Sequence, residues 1–261
     1  MTKINSSDSW KVIREEFSNE ILLSIVTVTK NDRNGLKNTL DSLKRLSDLR
    51  IELLIVSGDS TNSTDNLGLE FGHISIINNQ NSGIYHAMNI GLQQARGEYI
   101  WFLNGGDESL IKSISWLSSE SHDCRAEVYL CDYVVTLNGK SQLRQSRSSE
   151  YIWHGLPTSH QAIFYARAVL KTMRYSNEYV ITGDYDLTAR LYMNKAKFRK
   201  VNIVVAKFDM NGVSGKSLLK LVGEVRRIQK KVLKSSFSRR TVSTLKHLFS
   251  GLFRKLQRFI G

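Results

Sequence analysis

Three places in this chain hold residue types that could do chemistry. The first is Asn104-Gly105-Gly106-Asp107, which follows the uncharged apolar run Tyr99 to Leu103. Two glycines let the backbone come close to a ligand, and one carboxylate leaves the strand end. Such a carboxylate can hold Mg²⁺ or Mn²⁺, ions that keep several waters and bridge to ligand phosphates. The same residues also read as a turn whose aspartate caps a helix. The second place is Thr182-Gly183-Asp184-Tyr185-Asp186-Leu187 with Arg190. As ordinary structure, Asp184 is a helix cap and Asp186 with Arg190 an i,i+4 surface pair. The third is His160-Gln161 beside a short apolar run, where a lone histidine more often serves structure than ligation.

The elements that must position these residues are readable from apolar patterning. Leu22 to Thr29, Ile51 to Val56, His73 to Ile77 and Glu98 to Leu103 read as buried strands. Leu36, Leu40, Leu43 and Leu46 recur at helical spacing, and a second helix is expected from about Ile84 to Arg96. This alternation predicts a doubly wound α/β fold with a mostly parallel sheet, whose ligands bind at the strands' carboxyl ends. The later chain predicts mixed strands: Ala126 to Leu137, an Asn138-Gly139 hairpin turn into Ser141 to Arg147, Gln161 to Tyr165, and Phe198 to Phe208. A helix is expected over Asp186 to Met193.

Gly83-Ile84-Tyr85, Ala87-Met88-Asn89, Gly91, Ala95, Gly97 and Phe102-Leu103-Asn104-Gly105-Gly106-Asp107 keep a fixed spacing. On these residues the chain resembles the family 2 glycosyltransferases of the GT-A fold, in the branch that builds bacterial surface polysaccharides. The resemblance covers about Leu22 to Gly215 and takes in His160-Gln161, the Asp184 segment and Asn211-Gly212-Val213-Ser214. It implies a nucleotide-sugar donor, Mn²⁺ or Mg²⁺ at Asp107, and inverting transfer with Asp184 as base, assisted by Asp186 and Arg190. It places the donor against Thr27, Thr29, Asn31, Asp59, Ser82, Gly83, Asn89 and Asn104, and the acceptor near His160 and Gln161. The acceptor it implies is a saccharide or a polyprenyl-linked sugar. The chain departs from the family pattern at Ser57, Asn62 and His86, where carboxylates are usual, and carries Asp59 at a glycine position.

The net charge of +13 is concentrated at one end. From Lys216 onward thirteen Lys and Arg face one acid, Glu224, so that segment holds +12 and residues 1–215 only +1. We expect an N-terminal helical extension (1–20), a GT-A domain (21–215) and a basic amphipathic helical tail (216–261). In the tail Leu245, Leu248, Phe249, Leu252, Phe253, Leu256, Phe259 and Ile260 share one helical face, with Lys246, His247, Arg254, Lys255 and Arg258 opposite. This is the pattern of an interfacial helix on an anionic membrane, or of a helix docked on the domain with a solvated basic side. The first 20 residues carry charges throughout and no apolar run reaches the roughly 18 residues that span a bilayer. The expected location is therefore cytoplasmic, peripheral on the cytosolic face of the inner membrane. Two cysteines, Cys124 and Cys131, make neither a disulfide framework nor a zinc pattern. The rival readings are a nucleic-acid-binding protein acting through the tail and a non-catalytic sugar-nucleotide binder. No stacking aromatics interleave the tail's cations, so no nucleic-acid partner is expected.

Overall fold

The structure, a computed structural model, describes residues 21–46, 48, 50–58, 73–78, 83–118, 125–209 and 218–260, with 250–260 by backbone alone. The expected N-terminal extension, Asp59 and Ser82 lie outside the described residues, as does the segment 210–217. The parallel half consists of β1 (Leu23–Thr29), β2 (Ile51–Ser57), β3 (His73–Asn78) and β4 (Tyr99–Phe102) in spatial order β3-β2-β1-β4. Helices α1 (Arg33–Leu43) and α2 (Ile84–Gln94) connect them. Successive strand residues go to opposite layers, as the pleat requires. Ile25, Leu53 and Trp101 join Leu36, Leu40 and Leu43 of α1, while Val26, Leu54 and Phe102 join Tyr85, Met88 and Leu92 of α2.

The second half is mixed. It comprises β5 (Glu108–Ser109), the short α3 (Ser115–Ser118), β6 (Val128–Leu137), β7 (Lys140–Arg144), β8 (Ile163–Ala166), α4 (Arg167–Leu170), α5 (Gly183–Met193) and β9 (Phe198–Asp209). The sheet continues from β4 through β8, β6 and β9 to β5, and β7 pairs with β6. Asn138 and Gly139, with φ of 50° and 73°, make the expected hairpin turn. Several boundaries differ from the sequence reading, three of them with a clear local cause or consequence. Residues His160–Ala162 form a 3₁₀ turn and the strand starts at Ile163, because Ala162 donates to the Ser159 carbonyl at 2.8 Å. Strand β7 stops at Arg144, and the Ser146 amide and hydroxyl turn to the Asp132 carboxylate at 2.7 and 3.1 Å. Helix α5 begins at Gly183, three residues early, so Asp184 lies in its first turn.

The pairing of β8 decides where the polar residues meet. β4 runs parallel to β1 but antiparallel to β8, with Trp101 opposite Phe164. The residues that precede β8 therefore lie beside those that follow β4. His160-Gln161 and Asn104-Gly105-Gly106-Asp107 are brought together by this one reversal.

The tail forms α6 (Leu218–Lys231) and α7 (Phe237–Ile260). Val225 and Ile228 of α6, with Leu233, pack on Ile152, Tyr179, Tyr185 and Ala189 in a third apolar cluster. Helix α7 meets the domain through its polar side: Ser243 donates to the His154 carbonyl at 2.9 Å, and His247 Nε2 lies 2.9 Å from the same oxygen. Leu245 is two residues from each, hence on the opposite side of the helix. With Val242 and Phe249 it is exposed. Among the described residues no helix is long and apolar enough to cross a membrane.

Candidate active site

The turn after β4 is fixed by backbone and by α1. Gly105 donates to the Val28 carbonyl at 3.0 Å, extending the β1–β4 pairing past Asn104. Gly106 then takes φ of 96°, a conformation that L side chains resist, and Asp107 closes the turn on the Asn104 carbonyl at 3.0 Å. The buried Thr39 hydroxyl of α1 donates to the Asp107 carbonyl at 2.7 Å and accepts from the Gly106 amide at 3.0 Å. The Asp107 carboxylate faces inward. One oxygen accepts from the Asn104 amide at 3.2 Å and the other from Gln161 Nε2 at 3.4 Å. Burial, only partly offset by these bonds, pushes its pKa up to about 7.

A row of polar groups crosses from this turn to α5. Asn104 Nδ2 donates to His160 Nε2 at 3.1 Å. With that nitrogen accepting, the network puts the imidazole proton on Nδ1, which points to Asp184 Oδ2 at 3.8 Å. Burial pushes the His160 pKa down to about 4, so near pH 7 this is a neutral ring beside a carboxylate and no ion pair. Asp184 Oδ1 accepts from the Tyr185 amide at 2.8 Å, and Oδ2 is the oxygen that faces the His160 ring. Burial raises the Asp184 pKa to about 6, with backbone amides pulling against it. That brings the carboxylate near the range where a general base works best.

The turn that carries Asp184 is held from two sides. The Tyr85 hydroxyl of α2 donates to the Ile181 carbonyl at 2.7 Å, and its ring lies so close to Gly183 that an added Cβ would sit 2.7 Å from it. From the tail, Glu224 accepts from the amides of Val180, Ile181 and Thr182 and from the Thr182 hydroxyl, at 3.0–3.1 Å. Burial alone would raise its pKa, but the amides of Ile181 and Val180 and the Thr182 groups outweigh it and hold the carboxylate below its ordinary value.

The profile of "Glycosyl transferase family 2" matches residues 24–190, more than half of the chain. The chain belongs to this family. A relative from Mycobacterium bovis, the "PGL/p-HBAD biosynthesis glycosyltransferase", is 28% identical over 212 residues, covering 73% of this chain and 78% of the relative. An uncharacterized glycosyltransferase of Mycobacterium tuberculosis is 25% identical over 218 residues, 79% of this chain and 82% of its own. Among solved structures, S. aureus TarS in complex with UDP superposes with a TM-score of 0.62 at 17% identity, over 87% of this chain and 70% of TarS. The Pyrobaculum calidifontis mannosyltransferase PcManGT, with GDP-Man and Mn²⁺, has a TM-score of 0.64 at 11% identity, over 87% and 71%. These neighbours share the GT-A fold with this glycosyltransferase.

Within the glycosyltransferase, the structure brings Asn104, Asp107, His160, Gln161 and Asp184 together. Gln161 serves as an internal brace, donating to Asp107 while accepting from the Ser159 hydroxyl on its side chain and from Trp101 on its carbonyl. Asp186 and Arg190 are separated from Asp184. Two residues along a helix is about 200°, so Asp186 faces away and pairs with Arg190 at 2.8 Å, which also donates to the Arg174 carbonyl at 2.6 Å. Asn89 is likewise committed, giving its amide to the Tyr175 carbonyl and accepting from the Tyr175 amide, both at 2.9 Å. Thr27 is fully buried with a hydroxyl that has no hydrogen-bond partner among the described residues, Thr29 is nearly as buried, and Asn31 and Gly83 are exposed at the ends of β1 and α2. Tyr85 and Glu224 are the positioning residues that sequence reading passed over. Glu224 had one available signal, as the lone acid among thirteen tail cations.

Among the described residues no three His, Cys, Asp or Glu side chains gather as a metal group. The Asp107 carboxylate and the buried, unpartnered Asn104 Oδ1 nonetheless come from one turn. This set fits a hard ion that takes one or two protein oxygens and completes its shell with phosphate and water.

Proposed function

We propose that the enzyme is an inverting, divalent-metal-dependent hexosyltransferase moving a sugar from a nucleoside diphosphate to a saccharide or polyprenyl-linked acceptor in surface-polysaccharide assembly. The observation that carries this reading is Asp184, a partly buried carboxylate across His160 from the Asn104–Asp107 turn. In this reading Asp184 Oδ2 takes the proton of the acceptor hydroxyl as its oxygen attacks the anomeric carbon. The bond to the diphosphate breaks on the opposite face, and the configuration inverts. Neutral His160 keeps the ring proton turned toward Asp184 and cannot itself act as an acid near pH 7. Asp107 and the Asn104 side-chain oxygen would hold Mn²⁺ or Mg²⁺, which when bound offsets charge on the departing diphosphate. Thr27, Thr29, Asn31, Asp59, Ser82 and Gly83 remain the proposed donor side.

The enzyme works at the cytosolic membrane face, with residues 216–261 against anionic lipid. The support is α7, whose polar side is spent on the domain while Val242, Leu245 and Phe249 are exposed. The test is turnover with Mn²⁺ and a panel of UDP-, GDP- and dTDP-sugars. Asp184→Asn is expected to lower kcat by about 10²–10⁴-fold with donor binding retained. An Asp184→Asn enzyme as fast as wild type overturns the assignment, and measurable wild-type turnover excludes a non-catalytic binder.

A further inference from the structure

Helices α6 and α7 enclose a groove of about 600 Å³ on the tail, lined by Arg226, Arg227, Lys230, Lys231, Arg240 and the ring of Phe237. Its walls are largely carbon: aliphatic stems and one aromatic ring, with five cationic heads around them. Of these five cations only Lys231 has a carboxylate partner among the described residues, the exposed Glu178 at 3.2 Å. Arg226 of α6 donates to the Thr244 hydroxyl of α7 and bridges the two helices, while Arg240 donates to the Ser235 carbonyl in the turn between them, and neither bond compensates the charge. A cleft with cations above an apolar wall matches an amphiphilic anion, with phosphate at the cations and hydrocarbon on carbon.

We infer that this groove is a headgroup site for an anionic phospholipid of the bilayer, which rests on the membrane reading above. Phe237 is 70% exposed at its edge, and the same helix presents Leu245 and Phe249 outward. The groove is therefore on the tail that carries the apolar contact, so one bilayer can satisfy both. Free phosphate would use the cations but leave Phe237 and the apolar side of α7 in water. RNA would need stacking platforms beyond this one ring.

Binding depends on charge position as well as charge number, and two paired variants separate the two. Full-length protein is titrated with vesicles of phosphatidylcholine containing about 30% phosphatidylglycerol, a fraction chosen to give a strong surface potential. Arg227→Gln with Lys230→Gln removes two groove charges without touching the Arg226–Thr244 bridge or the Arg240–Ser235 bond. At the usual contribution of a basic residue near an anionic surface, binding is expected to weaken roughly thirtyfold. The control, Lys220→Gln with Lys246→Gln, removes the same charge outside the groove and reads the non-specific loss, which is expected to be at least about threefold smaller than that of the groove pair. Circular dichroism and melting confirm that both variants are folded. Equal losses in the two variants overturn the groove while leaving the membrane reading intact. Absence of wild-type binding to these vesicles overturns both. Groove-dependent binding of a short RNA tighter than that of the vesicles reassigns the site and also overturns the inference.

Discussion

At the residue scale, burial governs the chemistry of this site. Asp184 has a pKa of about 6 because its carboxylate is desolvated, and a base must be deprotonated to accept a proton. kcat/KM is therefore expected to rise with pH through about 6, and a pH–rate profile checks this. Asp107 carries the complementary cost. Its folded pKa of about 7 is above its ordinary 3.8, so the folded state binds the proton more tightly than the unfolded chain. That penalty is absent below about 4, grows as pH rises, and is complete above about 7. Asp107→Asn is expected to melt higher than wild type at pH 8, to lose the difference near pH 4, and to lose transfer activity. A melt series across that range reads the sign directly. The same scale shows which of the candidate groups are engaged inside the protein. Asn89, Gln161 and the Asp186–Arg190 pair have the chemistry of ligand-binding groups, yet each is spent on internal hydrogen bonds.

At the scale of elements, the first half of the fold was readable because buried parallel strands leave continuous apolar runs and helices leave a 3.6-residue period. The site's assembly was not, since it depends on β8 running against β4, and strand direction has no signature in composition. Nor was the part played by α6. A carboxylate that accepts from three consecutive amides 42 to 44 residues away leaves no pattern in either segment. Its consequence is open to measurement. Glu224→Ala strands those amides, each at about 1–3 kcal/mol when buried and unpaired, and is expected to lower both Tm and kcat. Glu224→Gln keeps the acceptor oxygen and the size, and is expected to recover much of the Tm. A role in placing Asp184 predicts that kcat falls in proportion to the loosened turn while donor KM stays near wild type. A merely structural role would move Tm alone.

At the scale of the whole molecule, the tail has two duties divided between two helices. Helix α6 belongs to the third apolar cluster and to the Asp184 turn, whereas α7 contacts the domain by a few polar groups. Ending the chain after Lys234 is expected to preserve turnover on a soluble acceptor and to abolish vesicle flotation. Ending it after Asp209 is expected to abolish both, because Glu224 and the packing of Val225 and Ile228 go with it. Paired activity and flotation assays on the two truncations test this division.

Trp101 has a consequence of a different kind. It is fully buried on β4, stacked on Phe164 at 5.0 Å, and its indole N–H is bonded to the Gln161 carbonyl at 2.8 Å. An indole whose N–H is tied to the residue that braces Asp107 is a built-in optical probe. Binding at the Asn104–Asp107 turn is expected to change the field along that hydrogen bond, so donor or ion binding should shift the intrinsic ultraviolet emission, and a Trp101→Phe protein should lack that shift.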